Sequence, residues 1–188
     1  MLEIKIPETS GAYNKILYWF FSFPYKKTTL SNLSSFLKIS KTTANEEINK
    51  LIKEEFIFRE IVGKAWQLSC NTKHKYNFSK KIAYNLEMIS NASILDKIYK
   101  EIKNPRAIIL FGSYRKGDDT EESDIDIAVE MIGNEKLKIK EFTTFRQFGN
   151  RKNVKVNLHL FSRNNINNNL FSNIANGIIL DGFLEVKK

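Results

Sequence analysis

Two short stretches restrict the fold more than anything else in the chain: Ile108-Ile109-Leu110-Phe111-Gly112-Ser113 and, ten residues later, Asp124-Ile125-Asp126-Ile127. An apolar run that stops at Gly-Ser reads as a buried strand ending in a tight turn. The second stretch alternates acidic and apolar residues, so a strand puts Asp124 and Asp126 on one face and Ile125 and Ile127 on the other. Carboxylates about 7 Å apart on one strand face repel each other unless a cation lies between them. Hard divalent ions such as Mg²⁺, or Mn²⁺, take oxygen ligands of this kind and complete their shells with substrate phosphates. Gly112 lets backbone N–H groups approach an anion, and Ser113 adds a hydroxyl donor. The plainer alternative is a surface turn followed by a strand with solvated carboxylates. It leaves an acidic face beside Gly-Ser without a use.

The segment LFGSYRKGDDTEESDIDIAVE, residues 110–130, resembles the nucleotidyltransferase superfamily that includes DNA polymerase β, and within it the small minimal nucleotidyltransferases. An apolar strand, Gly-Ser, a spacer of about ten residues containing Gly117, and Ser123 before Asp-x-Asp carry the resemblance. It implies a mixed-sheet domain in which Asp124 and Asp126 hold Mg²⁺ or Mn²⁺ and are catalytic. Gly112, Ser113, Arg115, Lys116 and Ser123 would then bind a nucleoside triphosphate. The acceptor it implies is a hydroxyl on a protein or a small molecule. One departure matters: family members carry a third carboxylate on the strand that corresponds to residues 154–160, and here no acid stands there. Asn157 occupies the corresponding position, and an amide ligates weakly and cannot accept a proton. His159, predicted on the same face, suits a ligand or base role, or that of a hydrogen-bonded surface histidine.

The net charge is +9, and the excess lies mostly ahead of this motif. Ten basic residues stand against seven acidic over 1–72, seven against three over 73–105, and thirteen against eleven over 106–188. That distribution favours a polyanionic partner for the first half. Cys70 is the sole cysteine, which excludes an internal disulfide and a cysteine-based metal cluster. The opening MLEIKIPETS lacks the pattern of a secretory signal, and the apolar run Ile16–Phe23 is too short to span a bilayer. No membrane role and a cytoplasmic location are therefore expected.

The first third reads as three helices and a hairpin. Residues 11–23 carry Ile16, Leu17, Phe20 and Phe21 at helical spacing and end at Pro24. Thr29 or Ser31 caps a second helix through Leu37, and Ser40 caps a third that turns Ile48, Leu51 and Ile52 inward. The period then switches to two, from Phe56 to Leu68, around a turn at Gly63-Lys64. This order resembles a winged helix-turn-helix domain, which implies that the third helix enters the DNA major groove and the hairpin follows the backbone. Ser40, Lys41, Thr42, Thr43 and Asn45 would be the contacts from the helix, with Lys64 at the wing tip. Ser40 and Thr42 equally suit plain capping, and winged helices also bind proteins.

Residues 76–103 carry apolar positions at helical spacing with a break near Ser90–Ser93, and they predict one or two helices packing across both halves. Lys73, Lys75, Lys80 and Lys81 suit an extension of a nucleic-acid surface, but read more simply as a solvated basic helix end. Further on, a helix is expected over Glu135–Phe148, a strand over Val154–Phe161 and a helix over 164–176. The expected architecture is α+β or α/β, organised as a winged helix-turn-helix domain (1–72), a helical connector (73–105) and a nucleotidyltransferase-like domain (106–188). Three functions follow from different classes. One is a Mg²⁺-dependent nucleotidyltransferase joined to a DNA-binding module. Another is a DNA-binding regulator whose transferase domain binds nucleotide without turnover. The third is an interaction module, like the antitoxin partner of a small toxin. A homodimer is compatible with each, although no seam in the sequence identifies one.

Overall fold

The computed structural model describes residues 2–5, 11–63 and 65–186. Its first half begins with helices wherever apolar residues recur every three or four positions. Helix α1 (Ala12–Ser22) buries Ile16, Leu17, Trp19, Phe20 and Phe21 and ends just before Pro24, whose ring cannot continue it. Helix α2 (Leu30–Leu37) starts at Thr29, whose hydroxyl accepts from the Asn32 N–H at 3.3 Å. Helix α3 (Lys41–Lys53) starts at Ser40, whose hydroxyl accepts from the Thr43 N–H at 3.0 Å, and it turns Ala44, Ile48 and Leu51 inward. Strands β2 (Ile57–Val62) and β3 (Ala65–Cys70) then pair antiparallel from Ile57 opposite Cys70 to Val62 opposite Ala65. Gly63 takes φ +62° in the connecting turn, while Lys64 lies outside the described residues. Three helices and a hairpin thus follow in the expected order.

A 3₁₀ turn (Lys75–Phe78) leads into α4 (Lys80–Asn91) and α5 (Ile94–Glu101), which are separated at Ala92-Ser93, where Ser93 sits at φ 49°. The expected solvated basic end is corrected at one position. Lys81 is buried, with 1% of its surface exposed, because it faces a carboxylate across the connector.

The rest of the chain builds a six-stranded mixed sheet of order β1-β6-β7-β5-β4-β8. Its central strands are β4 (Ala107–Phe111), β5 (Ile125–Glu130) and β7 (Arg151–Phe161), with β8 (Ile178–Gly182) on one edge. Strand β1 (Leu2–Ile4), from the start of the chain, adds parallel to β6 on the other edge. Helix α6 (Gly112–Lys116) follows β4 directly, and α7 (Asn168–Ala175) precedes β8. The helix expected over Glu135–Phe148 is instead β6 (Lys138–Phe148). It pairs antiparallel with β7 down to Phe148 opposite Arg151, and Gly149 turns the chain at φ +61°. Gly149-Asn150 is a hairpin signal. Pairing along eleven residues outweighs the helical spacing of Phe142, Phe145 and Phe148.

The sheet is two-sided, and the alternation of its strands sorts the residues. Ile108, Leu110, Ile125, Ile127, Val129, Val154, Val156 and Leu158 join the large core shared with the helices of the first half. Ala107, Ile109, Phe111, Ala128 and Phe161 face the other way, into a smaller core with Ile174 and Leu184. By the same parity Asp124, Asp126, Asn157 and His159 belong to that second face.

Candidate active site

β5 and β7 run parallel with Asp126 opposite Asn157 and Ala128 opposite His159, while antiparallel β4 sets Phe111 opposite Asp126. This register gathers residues about thirty positions apart in sequence. The Asn157 amide donates to Asp124 Oδ2 at 3.2 Å, and His159 Nε2 lies 3.1 Å from Asp126 Oδ1. The histidine is not a surface residue. Its side chain is 12% exposed, its ring stands edge-on to Phe111 at 4.8 Å, and Nδ1 is buried without a hydrogen bond among the described residues. Neither Asp124 nor Asp126 has a lysine or arginine partner among the described residues, although Asp126 is 30% exposed. Among the described residues the pair is therefore not neutralised by any lysine or arginine, and only the His159 imidazole stands beside it.

Gly112 closes the other side. Its φ is +72°, and a Cβ built there would lie 2.9 Å from Asp126 Oδ2, so only glycine gives this approach at no cost. Ser113 follows on α6, half-exposed, and its hydroxyl has no partner among the described residues. Arg115 is half-exposed and Lys116 exposed on the same short helix. Ser123, immediately before Asp124, is engaged within its own loop. Its hydroxyl accepts from the Thr120 N–H at 2.9 Å and so shapes the loop before Asp124.

The oxygen donors fit a hard divalent cation. Two carboxylates share this face, and among the described residues no group of three or more histidine, cysteine, aspartate or glutamate side chains is arranged to hold a metal. Mg²⁺ is commonly bound by one or two carboxylates plus substrate phosphates, and this face carries two carboxylates.

The candidate DNA contacts stand on a different element, at the start of α3. Ser40 and Thr43 are engaged with each other at 2.8 Å in the helix cap. Lys41 and Thr42 are exposed and Asn45 half-buried.

Residues 94–180 match the family described as polymerase beta, nucleotidyltransferase. The chain is also similar to a Methanocaldococcus jannaschii protein named putative protein adenylyltransferase MJ1379, 36% identical over 72 residues, which are 38% of this chain and 71% of that protein. The chain belongs to the polymerase beta nucleotidyltransferase family. The nucleotidyltransferase segment begins with α5, so β1, the three-helix unit with its hairpin, and α4 all lie outside the matched residues. Among the described residues no helix is long and apolar enough to cross a membrane.

The arginine of β7 and the residues around it carried no signal in the sequence. Arg151 is buried, approaches Asp119 and donates to the Ser123 carbonyl immediately before Asp124. Nothing in the sequence pattern marked a buried guanidinium.

Proposed function

We propose that this protein transfers a nucleoside monophosphate from a nucleoside triphosphate to a hydroxyl on a protein or small molecule, with Mg²⁺ or Mn²⁺ as cofactor. The observation that carries this reading is the Asp124/Asp126 pair, without a lysine or arginine partner among the described residues and with Asp126 against Gly112. When bound, the ion would neutralise triphosphate charge and lower the pKa of the attacking hydroxyl. The chain's own residues do the positioning. The Gly112 turn and the Ser113 hydroxyl grip phosphate oxygens, and Arg115 and Lys116 balance the remaining negative charge. The acceptor oxygen attacks the α-phosphorus in line, its bond forms as the bridge to the β-phosphate breaks, and pyrophosphate leaves. Asn157 cannot accept the attacking hydroxyl's proton, which leaves to His159 beside Asp126 or to water. Loss of a carboxylate base costs about 10²–10⁴ in rate, so slow turnover is expected. The name of the archaeal relative supports ATP as donor and a protein as acceptor.

We infer further that the three helices and hairpin act as a DNA-binding winged helix, with Lys41, Thr42 and Asn45 presented by α3 and Ser40 and Thr43 shaping its cap. Lys64, the wing-tip contact, lies outside the described residues. A second reading is favoured by Asn157: a regulator that binds nucleotide without turning it over. The test incubates the protein with Mg²⁺ and each α-labelled nucleoside triphosphate, with lysate as acceptor, beside the Asp124→Ala/Asp126→Ala variant. Label transfer that vanishes in the variant supports the enzyme. Mg²⁺-dependent binding without transfer supports the regulator, and neither binding nor transfer sinks both.

A further inference from the structure

Five residues before Asp124 stands a carboxylate in a different environment. Asp119 is 3% exposed and is held from several sides. Lys81 Nζ lies 3.3 Å from Asp119 Oδ1 and also donates to the Asp119 carbonyl. Asn85 Nδ2 donates to the same carboxylate oxygen at 2.8 Å and to the Tyr114 carbonyl at 3.0 Å. Arg151 Nη1 approaches Asp119 Oδ2 at 3.6 Å and donates to the Tyr114 hydroxyl at 2.5 Å, while Nη2 donates to the Ser123 carbonyl. The next residue is Asp124. At the near end of the loop Gly117 adopts φ +79°, where a Cβ would lie 1.8 Å from the Asn77 carbonyl oxygen. The loop therefore sits backbone against backbone on the 3₁₀ turn that precedes α4.

Burial of this many charges is costly, and an apolar cluster would pack the same space more cheaply. Burial pushes the Lys81 ammonium down and the Asp119 carboxyl up from their ordinary values, while their mutual attraction acts the other way. What hydrogen-bonded charges supply and apolar contacts do not is a fixed geometry for the backbone they grip. The gripped backbone atoms here are the carbonyls of Tyr114, Asp119 and Ser123, spread along the loop between the phosphate-binding turn and the paired acids.

We propose that Lys81 and Asn85 of α4 are positioning residues of the transferase site, acting through Asp119 and Arg151 on the loop that delivers Asp124. Helix α4 lies outside the family-matched residues 94–180, so the catalytic unit extends beyond them. The inference rests on the nucleotidyl-transfer reading above.

The full chain carrying Lys81→Met tests it by two readouts. One is hydrogen exchange of the amides of residues 117–124, and the other is calorimetric binding of a non-hydrolysable ATP analogue with Mn²⁺. Loop exchange should quicken by about tenfold or more, and analogue affinity should fall by about 10–100-fold, as when the outer partners of metal ligands are lost. Lys81→Arg, which keeps the charge and the donors, should recover most of both. Leu51→Ala, in the core of the three-helix unit, should lower the melting temperature and leave loop exchange and affinity alone. If Lys81→Met does not fold, Asn85→Ala removes a donor without removing a charge, and it should move both readouts the same way by about threefold. Loop exchange and affinity no more altered by these variants than by Leu51→Ala overturn the inference. A wild-type chain that binds no Mn²⁺–nucleotide overturns the transfer reading itself and the positioning role with it.

Discussion

Asp119 and the Asp124/Asp126 pair are separated by five to seven residues, yet they are opposite kinds of acid. Asp119 is buried and meets two cations and an amide. Asp124 and Asp126 are half-exposed and among the described residues meet an amide and an imidazole. A carboxylate whose charge is already balanced by the protein is part of the framework. One without a lysine or arginine partner among the described residues, beside a glycine turn, is the kind that the proposed transfer reaction needs to meet a cation and phosphates.

The largest test of this contrast replaces the unbalanced pair. Asp124→Ala/Asp126→Ala should lower label transfer by about 10³-fold or more, the scale of losing several kcal/mol of charge stabilisation. Its thermal melt should be unchanged or slightly higher, because like charges are removed. A melt that collapses would show these acids to be structural. Asp119→Ala should behave in reverse. It leaves Lys81 and Arg151 buried without their counter-charge, at a cost of about 3–5 kcal/mol read by urea unfolding. An Asp119→Ala protein as stable as the wild type would erase the distinction.

Asn157→Asp sharpens the contrast from within the site. Returning an acid opposite Asp126 should raise transfer, up to about 10²-fold if it accepts the attacking hydroxyl's proton. It should also reduce stability when no divalent ion is present. No gain in rate would mean that the proton takes another route. Gly112→Ala should cost about 1–2 kcal/mol of stability from its left-handed backbone. The same change should displace the Asp126 carboxylate and weaken Mn²⁺–nucleotide binding by about tenfold, as measured by calorimetry.

The smallest effect lies beside Lys81, on the framework side. Burial pushes the Cys70 thiol up to about 12 from 9.0, with Lys81 and Asn77 only partly offsetting it. The neutral thiol is the form that suits the fold, so its contribution is full below pH 9.0 and is lost as pH rises toward 12. Unfolding free energies at pH 8 and at about pH 10.5 should therefore differ less in Cys70→Ala than in the wild type.

Much of the candidate site was legible in the sequence because its signals are local. Gly112-Ser113 after an apolar run and the alternation of Asp124, Ile125, Asp126 and Ile127 constrain their own backbone directly. The caps at Thr29 and Ser40 are equally local, and both appear where the sequence places them. The strand at Lys138–Phe148 was misread because its pairing partner lies across a turn, and phenylalanines spaced by three satisfy a helix on paper. Lys81 was misread because a lysine among lysines at a helix end looks solvated until a carboxylate from elsewhere is packed against it.

The sequence by itself determined the family motif, the acidic strand face, the missing third acid and the order of helices and hairpin, since each depends on neighbours within a few residues. Only the tertiary structure decided that His159 meets Asp126, that β1 joins the sheet, and that Asp119 is buried among cations while Asp124 is half-exposed beside an amide. Those outcomes depend on register and on burial of charge across more than thirty residues of chain, and local patterning carries no record of either.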